Sequence, residues 1–60
     1  MKWIIIEIET NGEKVALPTE YNTYEDACWE QNFCEDVNPH KGYLIYTTDE
    51  WVYEVENGRA

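Results

Sequence analysis

Few residues in this chain have the types and spacing that chemistry needs. His40 is the single imidazole. It lies in Asn38-Pro39-His40-Lys41-Gly42 with no Ser, Cys or Asp at a recognisable catalytic or metal-ligand spacing, and it reads as a solvated loop histidine. Cys28 and Cys34 fall on one predicted helix, roughly 9 Å apart along its axis and about 120° apart around it. Thiols so placed cannot form a disulfide. They also lack the C-x-x-C spacing of redox and zinc sites, and they read as small buried hydrophobes. The pairs Glu35-Asp36 and Asp49-Glu50 could hold a hard cation, but no EF-hand spacing or turn glycine accompanies them, so they read as solvated charge. No G-x-G-x-x-G, P-loop, H-E-x-x-H or nucleophile motif is present. A 60-residue chain also has little material for both a core and a deep pocket. These observations predict a protein that is not an enzyme, with no catalytic residue, cofactor or metal.

Any function must then come from surface chemistry. Thirteen acids against four bases give a net charge of −9. A negative field this dense repels nucleic acid and anionic membranes, and it attracts basic proteins and their nucleic-acid grooves. Many small proteins are acidic for solubility alone, so charge needs a second feature to single out a surface. That feature is Trp29 and Phe33, spaced i, i+4 among Glu25, Asp26, Glu30 and Asp36. An exposed aromatic pair in such a setting is typical of an interaction site. The other arrangement places Trp29 and Phe33 in the core and turns the cysteine stripe outward.

The element that positions this pair is the stretch Thr23 to Val37. Thr23 is a good N-cap, and Asp26 stands three residues on, where a capping box carries Glu or Gln. Glu25 and Asp26 place negative charge at the positive end of the helix dipole. Asn38-Pro39 stops the helix, because the residue before proline is pushed out of helical conformation. Around the helix, Tyr24, Ala27, Cys28, Gln31 and Cys34 form one stripe, suited to close approach to a sheet, and Trp29 and Phe33 lie opposite.

The flanking segments read as strands. Lys2–Glu9 is rich in isoleucine, with Ile4, Ile6 and Ile8 on one face and Trp3, Ile5, Glu7 and Glu9 on the other. Asn11-Gly12 predicts a two-residue type I′ hairpin. Lys14–Leu17 returns with Glu9 facing Lys14, Ile8 facing Val15 and Ile6 facing Leu17, and Pro18 ends the strand. Tyr43–Thr48 and Trp51–Glu56 read as a second hairpin around Asp49-Glu50, and Asn57–Ala60 as a polar tail. The expected architecture is one α+β domain, residues 1–60, of order ββαββ. One helix packs on one face of a four-stranded antiparallel sheet and covers Ile4, Ile6, Ile8, Val15, Leu17, Leu44 and Val55. Trp3, Ile5, Tyr43, Ile45 and Val52 would then lie on an open face with Glu7, Glu9, Glu54 and Glu56. Aromatics on an open sheet suit single-stranded RNA, but the charge is of the wrong sign for phosphate. Such a face suits a protein partner or a second copy of the chain.

Trp3–Ile8 is too short to span a membrane and Glu7 interrupts it, and no signal peptide precedes it. Two free thiols suit a reducing compartment. The expected location is the cytoplasm.

The succession of strand, Asn-Gly turn, strand ending in Leu17-Pro18, helix segment YNTYEDACWEQ and a further strand resembles small phage-encoded host-takeover proteins. These include anti-CRISPR proteins and inhibitors of bacterial RNA polymerase. The resemblance spans Ile4 to Tyr46 and lies in order, size and acidity, with Thr-Tyr-Glu-Asp-Ala at the helix start as its one local match. It implies an inhibitor acting in the host's cytoplasm, and the net charge of −9 with the Trp29/Phe33 pair among acids points to one that mimics nucleic-acid charge toward a basic nucleic-acid-handling protein, either a CRISPR effector or other defence nuclease, or RNA polymerase. The surface expected to bind comprises Glu25, Trp29, Glu30, Phe33 and Asp36, with Glu54 and Glu56 added from the sheet face. The alternative is an assembly module that forms a homodimer through the open sheet face.

Overall fold

The structure is a computed structural model that describes residues 1–58. Its elements are β1 (Trp3–Ile8), β2 (Lys14–Tyr21), α1 (Tyr24–Val37), β3 (Gly42–Thr47) and α2 (Thr48–Glu56). The fold is α+β, with a three-stranded antiparallel sheet in the order β2-β1-β3. The expected fourth strand, Trp51–Glu56, is helical. The reason lies in Thr47-Thr48-Asp49-Glu50. The Thr47 hydroxyl accepts from the Glu50 backbone N–H at 3.1 Å, and the Glu50 carboxylate accepts from the Thr47 N–H at 2.9 Å. This reciprocal capping box starts a helix where a hairpin would need a turn. Asn57 and Gly58 close α2. The Asn57 N–H donates to Tyr53, the Gly58 N–H donates to Val55, and Gly58 takes φ +69°, the left-handed conformation that commonly follows a helix end.

The β1–β2 hairpin also differs from expectation. Only Gly12, at φ +88°, has positive φ in the turn, so a type I′ turn, which needs two such residues, does not form. The Glu9 N–H instead donates to Glu13, giving a three-residue loop, and the Asn11 side chain caps the Glu13 N–H at 2.9 Å. The register slips by one residue, to Ile8↔Lys14, Glu7↔Val15 and Ile6↔Ala16. One residue of slip moves each β2 side chain to the other face. Val15 therefore shares a face with Glu7 and is 43% exposed. Pro18 does not end β2. The strand runs on to Tyr21, and the pairing is irregular between Ile4 and Ile6, opposite Leu17-Pro18-Thr19. An edge strand can place a proline at such an irregularity, because its outer N–H groups need no partner.

The central strand supplies the core: Ile4, Ile5 and Ile6 are buried, with Ala27 and Tyr43. α1 covers the face of Trp3, Ile5, Glu7 and Tyr43, the reverse of the expected face. Tyr24 meets Trp3 edge-on with centroids 5.1 Å apart, and Gln31 Nε2 donates to the Tyr43 carbonyl at 2.7 Å. The face expected to lie open is thus the helix-covered one, and Ile5 is fully buried on it. A homodimer cannot form through Ile5 without displacing α1. On the other face, where Ile4 and Ile6 alternate with Ile5, Tyr46 stacks on Trp51 at 5.9 Å and 22°. The molecule is a slab of 30 × 29 × 14 Å.

The outer edge of β3 is closed at both ends. The Thr48 N–H donates to Lys2 O, which fixes the alternation, so Tyr43, Ile45 and Thr47 turn their backbone groups outward. Gln31 takes the Tyr43 carbonyl and Glu50 takes the Thr47 N–H. That leaves a short exposed edge centred on Ile45, too little for strand addition to be the natural mode of contact.

Candidate functional site

The outer surface of α1 is the strongest candidate. Thr23 caps the helix as read from sequence, its hydroxyl accepting the Asp26 N–H at 3.1 Å. Ala27 is fully buried, and Cys28, Gln31 and Cys34 are half-buried against the sheet. The inward stripe is therefore the small-residue one, and the arrangement with Trp29 and Phe33 in the core does not occur. Trp29 is 71% exposed and Phe33 61%. Val37 continues the row at the next i+4 step and is also exposed. The reading from sequence omitted Val37, although its spacing was visible there. Glu25 and Asp36 are exposed and Glu30 is half-buried. These five expected residues share one helix, whereas Glu54 and Glu56 do not lie on a sheet face at all. They belong to α2, where Glu54 is half-buried and Glu56 exposed.

The electrostatics of the helices are one-sided. α1 carries five acids and α2 four, nine of the chain's thirteen, and neither helix carries a Lys or Arg. Acids in each first turn stabilise the helix dipole, but neither last turn has a base. Glu35 and Asp36 stand beside the negative end of α1, where the dipole disfavours them. A cation brought to this end would relieve an existing repulsion.

Lys41 reaches across to the sheet. Its Nζ lies 3.3 Å from Glu7 and 3.1 Å from Glu9, and the Tyr43 hydroxyl donates to Glu7 at 3.0 Å. The contact with Glu9, together with Tyr43 and Lys41, holds the Glu7 carboxyl below the usual range against the opposing effect of burial. Burial and the neighbouring Glu7 push the Tyr43 phenol up. This network neutralises charge at the rim of the core, and every polar group in it has a partner. Beside it, Glu35, Asp36, Pro39, Lys41, Gly42 and Tyr43 line an open pocket of about 480 Å³. No histidine, cysteine or hydroxyl nucleophile other than the engaged Tyr43 lines it. His40 is exposed in the turn. Burial first, then Glu30 and Glu7, raise the Cys34 thiol above its ordinary value, the opposite of an activated thiolate. Among the described residues, no group of three or more His, Cys, Asp or Glu side chains is arranged to hold a metal ion, and no helix is long and apolar enough to cross a membrane.

The site thus offers apolar aromatic area ringed by carboxylates. Comparison with known proteins finds no significant match for this chain among protein-family models, curated proteins or solved structures.

Proposed function

We propose that this protein is an acidic inhibitor that docks α1 into the nucleic-acid-binding surface of a basic protein. The observation that carries the reading is the pair Trp29 and Phe33, 71% and 61% exposed on a helix whose every charged residue is an acid. Aromatic side chains are the residues that most often anchor interfaces, and surrounding carboxylates set on-rate and partner choice. In the bound state Glu25, Glu30 and Asp36 stand where phosphates would stand, and Trp29 and Phe33 fill apolar ground between the partner's Lys and Arg side chains. The net charge of −9 steers the encounter over a longer range. The favoured target is a CRISPR effector or another defence nuclease. Bacterial RNA polymerase, which has the same groove chemistry, is the runner-up.

The test is a pull-down from bacterial lysate with the tagged chain, eluted by a salt step. A nuclease or polymerase released at moderate salt supports the reading, because screening frees partners held by charge. If Trp29→Ala and Glu30→Lys each leave the capture of that partner unchanged, α1 is not the surface used.

A further inference from the structure

We infer that the apolar stripe of α2, with the exposed Leu44 of β3, forms a second docking surface, for a partner segment that presents apolar side chains flanked by Lys or Arg. The surface is separate from the outer row of α1 and does not rest on the inhibitor reading. Trp51, Val52 and Val55 fall within about 100° of one another around α2. Trp51 stacks on Tyr46, and this turns the stripe toward the sheet face of Ile4, Ile6 and Leu44. Ile4 and Ile6 are themselves buried there, but the stripe is left partly open. Val52 and Val55 are each 52% exposed, Leu44 is 38% exposed, and no residue of α2 is buried.

A nine-residue helix is shorter than the roughly 12–15 residues at which isolated helices become even marginal in water. Helices in folded proteins draw most of their stability from a buried apolar face, whereas α2 buries no residue; its caps and the Tyr46–Trp51 stack are among the contacts that hold it. An apolar stripe left half open on so short a helix is a surface whose cover comes from another molecule.

Charge selects the occupant. Asp49, Glu50, Glu54 and Glu56 are the charged residues of α2, with no base among them. Glu54 and Glu56 sit in its second half, where the dipole already disfavours acids. A second copy of the chain would bring the same four carboxylates against these, a like-charge contact that costs stability. A cationic amphipathic segment meets both requirements. Its apolar side chains extend the Leu44–Val52–Val55 patch, and its bases pair with Glu54 and Glu56 and relieve the helix end.

The probe is a synthetic, amidated peptide with Leu at helical spacing and Lys elsewhere, with a Leu/Glu peptide of the same pattern as control. Backbone amide shifts of the intact chain are followed during titration. The expected result is saturable shifts centred on Leu44 and Thr48–Glu56 with the Lys peptide, weakened by salt, and none with the Glu peptide. Val52→Asp with Val55→Asp should weaken binding by about tenfold or more, the loss typical of an anchor pair, while Trp29→Ala leaves these shifts unchanged. The inference is overturned by shifts confined to Tyr24–Val37, by equal binding of the two peptides, or by concentration-dependent shifts of the α2 amides without peptide, which would identify a second copy as the occupant. The wild-type titration decides the matter even if the double variant fails to fold.

Discussion

Replacing Thr47 with valine tests why the C-terminal third is helical. Valine keeps the branched shape in a position only 7% exposed and deletes one oxygen. That oxygen accepts the Glu50 N–H at 3.1 Å and completes the reciprocal bond from the Thr47 N–H to the Glu50 carboxylate. Removing an N-cap oxygen costs about 1 kcal/mol, within a range of roughly 0.5–2. In most proteins the loss would be absorbed by the packing of the helix. Here α2 buries no residue, so the cost falls on α2 itself. One kcal/mol is about a fivefold change in an equilibrium. A helix that is about nine-tenths formed would fall to about six-tenths. The assay is amide chemical shift and hydrogen exchange over Thr48–Glu56, with near-UV circular dichroism following the Tyr46–Trp51 stack. α1 should be unaffected, and Thr47→Ser should restore the helix. The reasoning fails if Thr47→Val leaves those amides unchanged or stabilises the segment. Valine favours strands, so stabilisation is what a β-hairpin in this region would produce.

Three further outcomes follow from the same structure. Ile5→Ala, at a fully buried position, should cost about 2–5 kcal/mol. The total for a domain of this size is of the order of 3–9 kcal/mol, so urea denaturation should show a barely stable fold, whereas Leu44→Ala should cost under about 1 kcal/mol. The Glu50 carboxyl is held below its ordinary range, first by the backbone N–H of Thr47 and then by its hydroxyl. A depressed folded value means that this stabilisation is present above the unfolded value and is lost as pH falls through the folded one. Helix signal from α2 should therefore hold steady at pH values above the ordinary glutamate range and fall as the pH drops below that range, and Glu50→Ala should remove that step. Lys41→Met should raise the titration midpoint of Glu7, read by carboxyl carbon shifts. An unmoved midpoint would mean that the 3.3 Å ion pair is not held in solution.

How legible each element was depended on how local its cause is. α1 was readable because Thr23, the acids after it and Asn38-Pro39 specify its ends within a few bonds, and because Ala27, Cys28 and Cys34 mark which stripe can approach a sheet. α2 was equally local, since Thr47-x-x-Glu50 is a capping box and Asn57-Gly58 a helix end. Its aromatic and β-branched residues, Trp51, Val52, Tyr53 and Val55, masked that signal by suggesting a strand. Val37 was legible as the third member of the outer row by spacing alone.

What the sequence by itself determined is therefore the helix α1 with Trp29 and Phe33 on the side opposite its small-residue stripe, the isoleucine-rich strand β1, the presence of a hairpin at Asn11-Gly12, and an acid-dominated surface; that Trp29 and Phe33 are the outward side was decided by the tertiary structure. These follow from caps, turn residues, periodicity and charge, which act over short distances along the chain. The tertiary structure alone decided which face of the sheet α1 covers. Both faces of β1 are apolar, with Ile4 and Ile6 on one side and Trp3 and Ile5 on the other, so alternation could not choose between them. It also decided the one-residue slip of β2, because Asn-Gly suits a two-residue loop while a three-residue loop with one left-handed glycine is the next commonest choice, so the turn residues admit both registers. The same long-range pairing brings Lys41 to Glu7 and Glu9 across 34 and 32 positions of chain, a contact that no local pattern encodes.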